Sequence, residues 1–271
     1  MSDPKLHVVE AGEGRPVVLL HGLTATNRYV VHGSRALERS GHRVLAYDAR
    51  GHGASEPAPS PEDYGYDALA ADLERVLDER DLQRVVLAGA SMGAHTLLRF
   101  ALAHPERAAG LVVITPAYDG RHPVDGPGRD RAMARWDALS DGLRTGGVEG
   151  FVEAYGDPGV PEAWRETVIS VLRQRLARHE HPEAVADALR AVPRSRPFGD
   201  LEDLRAITAP TVVVADRDEA DPGHPLAVGE AYADAIPGAR LVVEEPGESP
   251  VAWSGGKLSQ IIAEVAERAF A

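Results

Sequence analysis

The chain has 271 residues and a 44% hydrophobic content, which fits one large α/β domain with an insertion and a sizeable core. Its 42 Asp and Glu residues outnumber 29 Lys and Arg residues, so the formal charge of −13 disfavours binding to nucleic acids. The chain has no cysteine, which excludes disulfides, thiolate metal sites and cysteine nucleophiles. It shows no secretion signal and no apolar run of membrane-spanning length, so we expect a cytoplasmic protein without membrane or nucleic-acid partners.

Short β-branched runs alternate with longer helical patterns, a layout typical of a mostly parallel sheet with helices on both faces. The near-continuous apolar character of the runs predicts strands that are buried on both sides. Strands are predicted at residues 17–20, 44–47, 85–87, 111–114 and 212–214, with an edge strand at 6–10 and a last strand at 241–243.

The segment between residues 115 and 211 has no comparable strand. It carries helical patterns at 129–144, 162–178 and 183–192, separated by Gly and Pro. Because an unstructured loop of this length is uncommon in a compact domain, we predict an inserted helical lid at 118–197 and a core made of 1–117 and 198–271. A small-molecule pocket is expected between the lid and the carboxyl edge of the sheet.

The motif GASMG at 89–93 lies directly after a predicted strand and directly before a helical pattern. A serine on such a sharp turn projects its hydroxyl from the edge of the sheet, and the flanking glycines permit the strained backbone. Ser91 is therefore a candidate nucleophile, although an ordinary serine cap in a βα loop fits the letters alone. The segment His21-Gly22-Leu23 follows the strand at 17–20, so the backbone N–H groups of Leu23 and Met92 are candidate oxyanion donors.

A third motif, DARGHGAS at 48–55, follows the next strand along the chain. Together, these three motifs resemble the α/β-hydrolase superfamily, in its group with a helical cap, over essentially the whole chain. The resemblance implies an α/β-hydrolase fold, and structural roles beside the oxyanion loop for His21 and His52. It implies less about activity, because the fold supports many chemistries.

The acid of a catalytic triad is expected in the acidic run that follows the strand at 212–214. The family pattern of a strand, a small residue, two variable residues and an aspartate implies Asp218, which would orient a histidine. Asp216 and Asp221 are the alternatives, and a solvated turn-forming loop would explain the same composition.

The triad's histidine is missing from its usual place, because Ser249 occupies the position that the resemblance assigns to it. No histidine follows His224, which alone preserves the chain order Ser, Asp, His. His224 is therefore the candidate base, although a loop histidine beside two prolines is also typical of a surface position. The lid histidines His122, His179 and His181 are weaker candidates.

Three functions remain open from the sequence. The first is a serine hydrolase of a small ester, thioester or related acyl compound, with a displaced base. The others are a non-hydrolytic lyase or isomerase on the same fold, and a relative that binds a ligand without turnover. Histidines are scattered over separate elements and there is no dinucleotide fingerprint, so no metal and no cofactor is expected.

Overall fold

The apolar runs of the sequence form strands of one sheet in the computed structural model, which describes residues 3–120 and 127–271. Within these residues the sheet has seven strands in the order β1-β3-β2-β4-β5-β6-β7. Only β1 is antiparallel to its neighbour, and the other pairs are parallel. The strands are β1 (Val8–Ala11), β2 (Arg15–Leu20), β3 (His42–Tyr47), β4 (Val85–Ala90), β5 (Ala108–Ile114), β6 (Thr211–Val214) and β7 (Arg240–Val242).

Helices cover both faces of the sheet, which confirms the predicted α/β architecture. The side chains of each central strand alternate between two apolar layers: Leu87 and Leu111 face one layer, and Val86 and Val112 face the other. The helices are α1 (Ala36–Arg39), α2 (Tyr66–Asp78), α3 (Met92–Ala103), α4 (Pro127–Tyr155), α5 (Glu162–Leu176), α6 (Pro182–Ala191), α7 (Leu226–Ala235) and α8 (Gly255–Ala269). None of the helices in the described ranges is long and apolar enough to cross a bilayer.

Three of these helices, α4 to α6, lie in the insertion between β5 and β6. Gly147 interrupts α4, because its φ of 59° lies outside the helical region. Apolar side chains of the insertion, among them Leu139 and Phe151, pack in one cluster with Leu23 and Met92 of the core. The insertion is thus helical in its described residues and packs beside the motif-bearing loops; its bounds and its role as a lid stay predictions.

Candidate active site

Ser91 lies on a sharp turn between β4 and α3. Its φ of 52° and ψ of −111° are unusual for a residue with a side chain, so the neighbouring structure must hold it in place. The close packing depends on Gly93, where an added Cβ would lie 2.1 Å from the carbonyl oxygen of Leu20. The turn therefore presents the Ser91 hydroxyl at the carboxyl edge of the sheet, which is the strand-turn-helix context that the motif requires.

His224 contacts the Ser91 hydroxyl although it belongs to a loop more than a hundred residues further along the chain. Its Nε2 lies 2.8 Å from Ser91 Oγ, and its Nδ1 lies 2.8 Å from Asp221 Oδ2. The loop after β6 holds the two residues together, because the backbone N–H of His224 also donates to the Asp221 carbonyl at 3.1 Å. The three side chains form one hydrogen-bonded chain from hydroxyl to carboxylate.

Within this hydrogen-bonded chain, His224 and Asp221 each stabilise the charged form of the other. Burial disfavours the charged imidazolium, but the Asp221 carboxylate outweighs that effect, and the pKa of His224 is raised. Burial likewise disfavours the Asp221 carboxylate, yet the neighbouring His224 lowers its pKa. Asp221 therefore stays ionised at neutral pH, and an Nδ1–H of His224 donates to it. That tautomer leaves Nε2 with a lone pair that faces the Ser91 hydroxyl.

The acid that the family pattern implied, Asp218, lies elsewhere. Its Oδ1 accepts a hydrogen bond of 2.7 Å from the backbone N–H of Leu226, the first residue of α7. Asp218 therefore satisfies a helix N-terminus, and the carboxylate beside His224 is Asp221, one of the two alternatives. The other alternative, Asp216, is fully buried and accepts from the backbone N–H of Ala252 at 3.1 Å. Burial, reinforced by Glu244, raises the pKa of Asp216 to about 7.

The remaining candidate positions do not join this chain. Ser249, at the usual place of the base, is exposed in the loop that follows β7. His179 accepts from the backbone N–H of Gly53 at 2.9 Å and contacts the carbonyl of Thr24 at 3.2 Å, which ties the insertion to the core. His181 lies beside Glu183, with 3.6 Å between Nδ1 and Oε1. His122 lies outside the described residues.

The loop that carries Leu23 is held by two buried histidines. His52 Nε2 lies 2.6 Å from the Leu23 carbonyl oxygen, and His21 Nε2 accepts from the backbone N–H of Ala49 at 2.9 Å. Burial lowers the pKa of both imidazoles, which favours their neutral forms. Within the described residues, neither Leu23 N–H nor Met92 N–H has an intramolecular acceptor. Both amides are thus available to a ligand atom.

A cavity of about 110 Å³ opens beside Ser91. It is small against the ~300–1,000 Å³ of pockets that enclose drug-sized ligands. Its described lining is uncharged and mixes apolar surface with a few polar groups. The lining includes Leu23, Tyr66, Met92, His95, Tyr118 and Trp136. In the described ranges, no three His, Asp or Glu side chains are grouped as metal ligands.

Comparison with known proteins agrees with this architecture. Residues 15–194 match the model of the alpha/beta hydrolase fold family. The chain belongs to this family. It is 32% identical over 251 residues to 2-hydroxy-6-oxononadienedioate/2-hydroxy-6-oxononatrienedioate hydrolase 2 of Pseudomonas putida, which covers 89% of this chain and 84% of the relative. It is 29% identical over 248 residues to a putative carbamate hydrolase of Pseudomonas savastanoi pv. phaseolicola, with 90% of each chain covered.

Solved structures give the same result. A thermophilic esterase from Thermogutta terrifontis superposes with a TM-score of 0.78 at 27% identity, covering 99% of this chain and 95% of that one. An enol-lactonase from Burkholderia xenovorans LB400 shares the fold with a TM-score of 0.75 at 23% identity, covering 98% and 96% of the two chains. The relatives named here are hydrolases on this fold.

The sequence names one residue of this site only as an alternative and gives no signal for another. Asp221 was ranked below Asp218, although its place three residues before His224 in a Pro-Gly turn would have been a usable signal. Tyr66, which begins α2 and lines the cavity, carries no motif. Only the folding of α2 against α3 brings its hydroxyl to His95, at 3.1 Å from Nδ1.

Proposed function

We propose that the protein is a serine hydrolase of a small ester, thioester or related acyl compound, with Ser91 as nucleophile, His224 as base and Asp221 as acid. The observation that carries this proposal is the continuous chain of two 2.8 Å hydrogen bonds from Ser91 through His224 to Asp221. This chain gives Ser91 a base that can activate it, although Ser249 occupies the position that the resemblance assigns to the histidine. The base is displaced from the loop after the last strand to the loop after β6.

The proposed reaction begins when a substrate carbonyl carbon approaches Ser91 Oγ. As the Oγ–carbon bond forms, His224 Nε2 takes the hydroxyl proton, and Asp221 stabilises the imidazolium. The oxygen of the tetrahedral intermediate accepts hydrogen bonds from the Leu23 and Met92 N–H groups. The carbon–leaving-group bond then breaks, and the leaving group receives the proton from His224. Water attacks the acyl-enzyme in the same way and releases the acid.

The insertion from α4 to α6 serves as the lid in this proposal. Its support is the apolar cluster that joins Phe151 of the insertion to Leu23 and Met92, the two proposed oxyanion residues. His179 adds polar contacts to the loops at Thr24 and Gly53. Exclusion of water by such a cover strengthens the electrostatic interactions with the developing oxyanion.

The named relatives support the class of reaction, since they include an esterase and a putative carbamate hydrolase. The small cavity favours short acyl groups. We therefore expect 4-nitrophenyl acetate to butyrate to be hydrolysed faster than the octanoate or longer esters. A spectrophotometric panel of these esters tests the proposal.

The control variants of this panel are two serine replacements. Ser91→Ala should abolish hydrolysis above the residual catalysis of the oxyanion site, whereas Ser249→Ala, at an exposed serine, should leave it unchanged. Hydrolysis that survives Ser91→Ala would refute the proposed nucleophile. A wild type that hydrolyses none of the esters would favour the non-hydrolytic functions.

A further inference from the structure

The cavity beside Ser91 contains two neighbouring polar side chains that the proposed reaction does not use, Tyr66 and His95. Both are buried, with 6% and 4% of their surface exposed. The Tyr66 hydroxyl oxygen lies 3.1 Å from His95 Nδ1. Because either atom of this pair can in principle be the donor, the direction of the bond depends on the tautomer of His95.

The backbone fixes that tautomer. The N–H groups of Ala117 and Tyr118 both donate to His95 Nε2, each at 3.2 Å. A nitrogen that accepts from two N–H groups carries a lone pair, so the proton of the neutral imidazole is on Nδ1. Nδ1–H then donates to Tyr66 Oη. The tyrosine oxygen is the acceptor of this bond, and its own proton is left for another partner.

That proton has no acceptor in the part of the chain that the structure describes. The described hydrogen-bond partner of Tyr66 Oη is His95 Nδ1, which carries a proton and therefore cannot accept one from the tyrosine. Burial raises the pKa of Tyr66, so the hydroxyl stays protonated throughout the neutral range. A buried donor without an acceptor is unfavourable, and a ligand oxygen in the cavity would relieve that penalty.

We propose that Tyr66 determines specificity by donating its hydroxyl proton to an uncharged oxygen of the substrate, such as a ketone or ether oxygen, bound in the cavity beside Ser91. His95 acts as a positioning residue that directs the Tyr66 proton away from itself and toward the ligand. The oxygen is uncharged because the described lining offers no cation to a carboxylate. The favoured substrates are therefore short oxo- or alkoxy-substituted acyl compounds rather than plain alkanoyl ones.

The test replaces one oxygen by a methylene or methyl group at nearly constant size. On the acyl side, 4-nitrophenyl methoxyacetate is compared with the butyrate, and the 4-oxopentanoate with the 4-methylpentanoate. On the alcohol side, 2-methoxyethyl acetate is compared with butyl acetate. The ratio of kcat/KM within each pair is measured for wild type and for Tyr66→Phe. Dividing one ratio by the other cancels the intrinsic reactivity of the esters.

We expect this double ratio to reach about tenfold or more in at least one pair, equivalent to about 1.4 kcal/mol. The matched control is Tyr118→Phe, which removes the hydroxyl of a second tyrosine that lines the cavity. That hydroxyl already reaches the carbonyls of Phe198 and Gly199, at 3.2 and 3.3 Å, so the double ratio for this variant should stay near one. A double ratio near one for Tyr66→Phe in all pairs would overturn the proposal. An equal ratio for both tyrosine variants would do the same.

The kinetic readout rests on the proposed hydrolysis at Ser91, so a second readout separates the two proposals. In a Ser91→Ala background, dissociation constants for the same pairs are measured from tryptophan fluorescence, with and without Tyr66→Phe. A selective loss of affinity for the oxygen-bearing esters supports Tyr66 even if no ester is hydrolysed. If Tyr66→Phe leaves the affinity for the oxygen-bearing esters unchanged, the role of Tyr66 is overturned whatever the catalytic result. If Tyr66→Phe fails to fold, the test uses wild type alone. For each pair, the ratio of the two kcat/KM values is divided by the ratio of the rates at which hydroxide hydrolyses the same two esters.

Discussion

Replacing Asp221 by Asn is the sharpest perturbation of the proposed triad, because it removes one charge and keeps the shape. Asp221 Oδ2 accepts from His224 Nδ1–H at 2.8 Å, and this bond leaves the Nε2 lone pair facing Ser91 Oγ at 2.8 Å. An amide can instead donate its N–H to Nδ1, which moves the imidazole proton to Nε2. In that tautomer His224 cannot accept the Ser91 proton.

The expected loss follows from that change of tautomer. The corresponding replacement in a serine protease lowers kcat by about 10⁴-fold, and we expect a similar factor for Asp221→Asn. Four factors of ten equal about 5 kcal/mol of lost transition-state stabilisation. The pKa of His224 should also fall in this variant. Burial lowers that pKa, and the charge of Asp221 is the main effect that raises it.

Asp218→Asn provides a matched control three residues away. Asp218 uses Oδ1 to accept from the Leu226 N–H, and an asparagine retains that oxygen. We expect its kcat/KM to remain within about twofold of wild type, since a preserved hydrogen bond leaves the start of α7 in place. The assay is ester hydrolysis by both variants, with thermal unfolding to show that each is folded. Equal losses in the two variants, or a larger loss for Asp218→Asn, would refute the assignment of Asp221.

Three further predictions follow from the surroundings of the site. The pH profile of kcat/KM should fall on the acidic side with an apparent pKa above the ordinary imidazole value of about 6.5, because neutral His224 is the base and Asp221 favours its charged form; a midpoint below 6.5 would contradict this. Burial, with His52 nearby, lowers the pKa of His179 to about 3, so its contribution to stability is complete above pH 6.5 and declines as the pH falls toward 3. Urea unfolding at several pH values should show a slope of up to about 1.4 kcal/mol per pH unit from this residue, and an unchanged slope in folded His179→Gln would contradict it. Gly93→Ala should prevent folding or lower Tm strongly because the added Cβ would overlap the carbonyl oxygen of Leu20, whereas an added Cβ at Gly146 meets open space, so Gly146→Ala should not lower Tm; equal Tm values for both would contradict the packing of the turn.

Much of the fold could be predicted because its signals are local. Apolar runs identified the strands, and the helical patterns at 162–178 and 183–192 agree with α5 and α6 to within two residues. β2 and β3 begin two residues earlier than predicted, at the polar residues Arg15 and His42, which pair in register at the amino-terminal ends of these strands. Hydrophobic periodicity carries no signal for such residues, since backbone pairing sets the length of a strand.

The position of Ser91 could be predicted because one short segment contains the strand end, the turn glycines and the helix start. The choice between Asp218 and Asp221 could not, because it depends on how the loop after β6 folds. That loop turns between Asp221 and His224, while Asp218 satisfies the N-terminus of the next helix. The contact of His224 with Ser91 likewise depends on tertiary structure. It forms because β4, β5 and β6 are parallel neighbours, which brings the loops at their carboxyl ends together.

The central claim is that His224 activates Ser91 from the loop after β6. Its most direct test is covalent labelling with a fluorophosphonate probe, followed by mass spectrometry of the modified peptide. We predict stoichiometric labelling of wild type at Ser91, with a rate that rises with pH as His224 loses its proton, and loss of labelling in folded His224→Ala. Labelling of His224→Ala at the wild-type rate, or no labelling of wild type across a broad pH range, would contradict the claim.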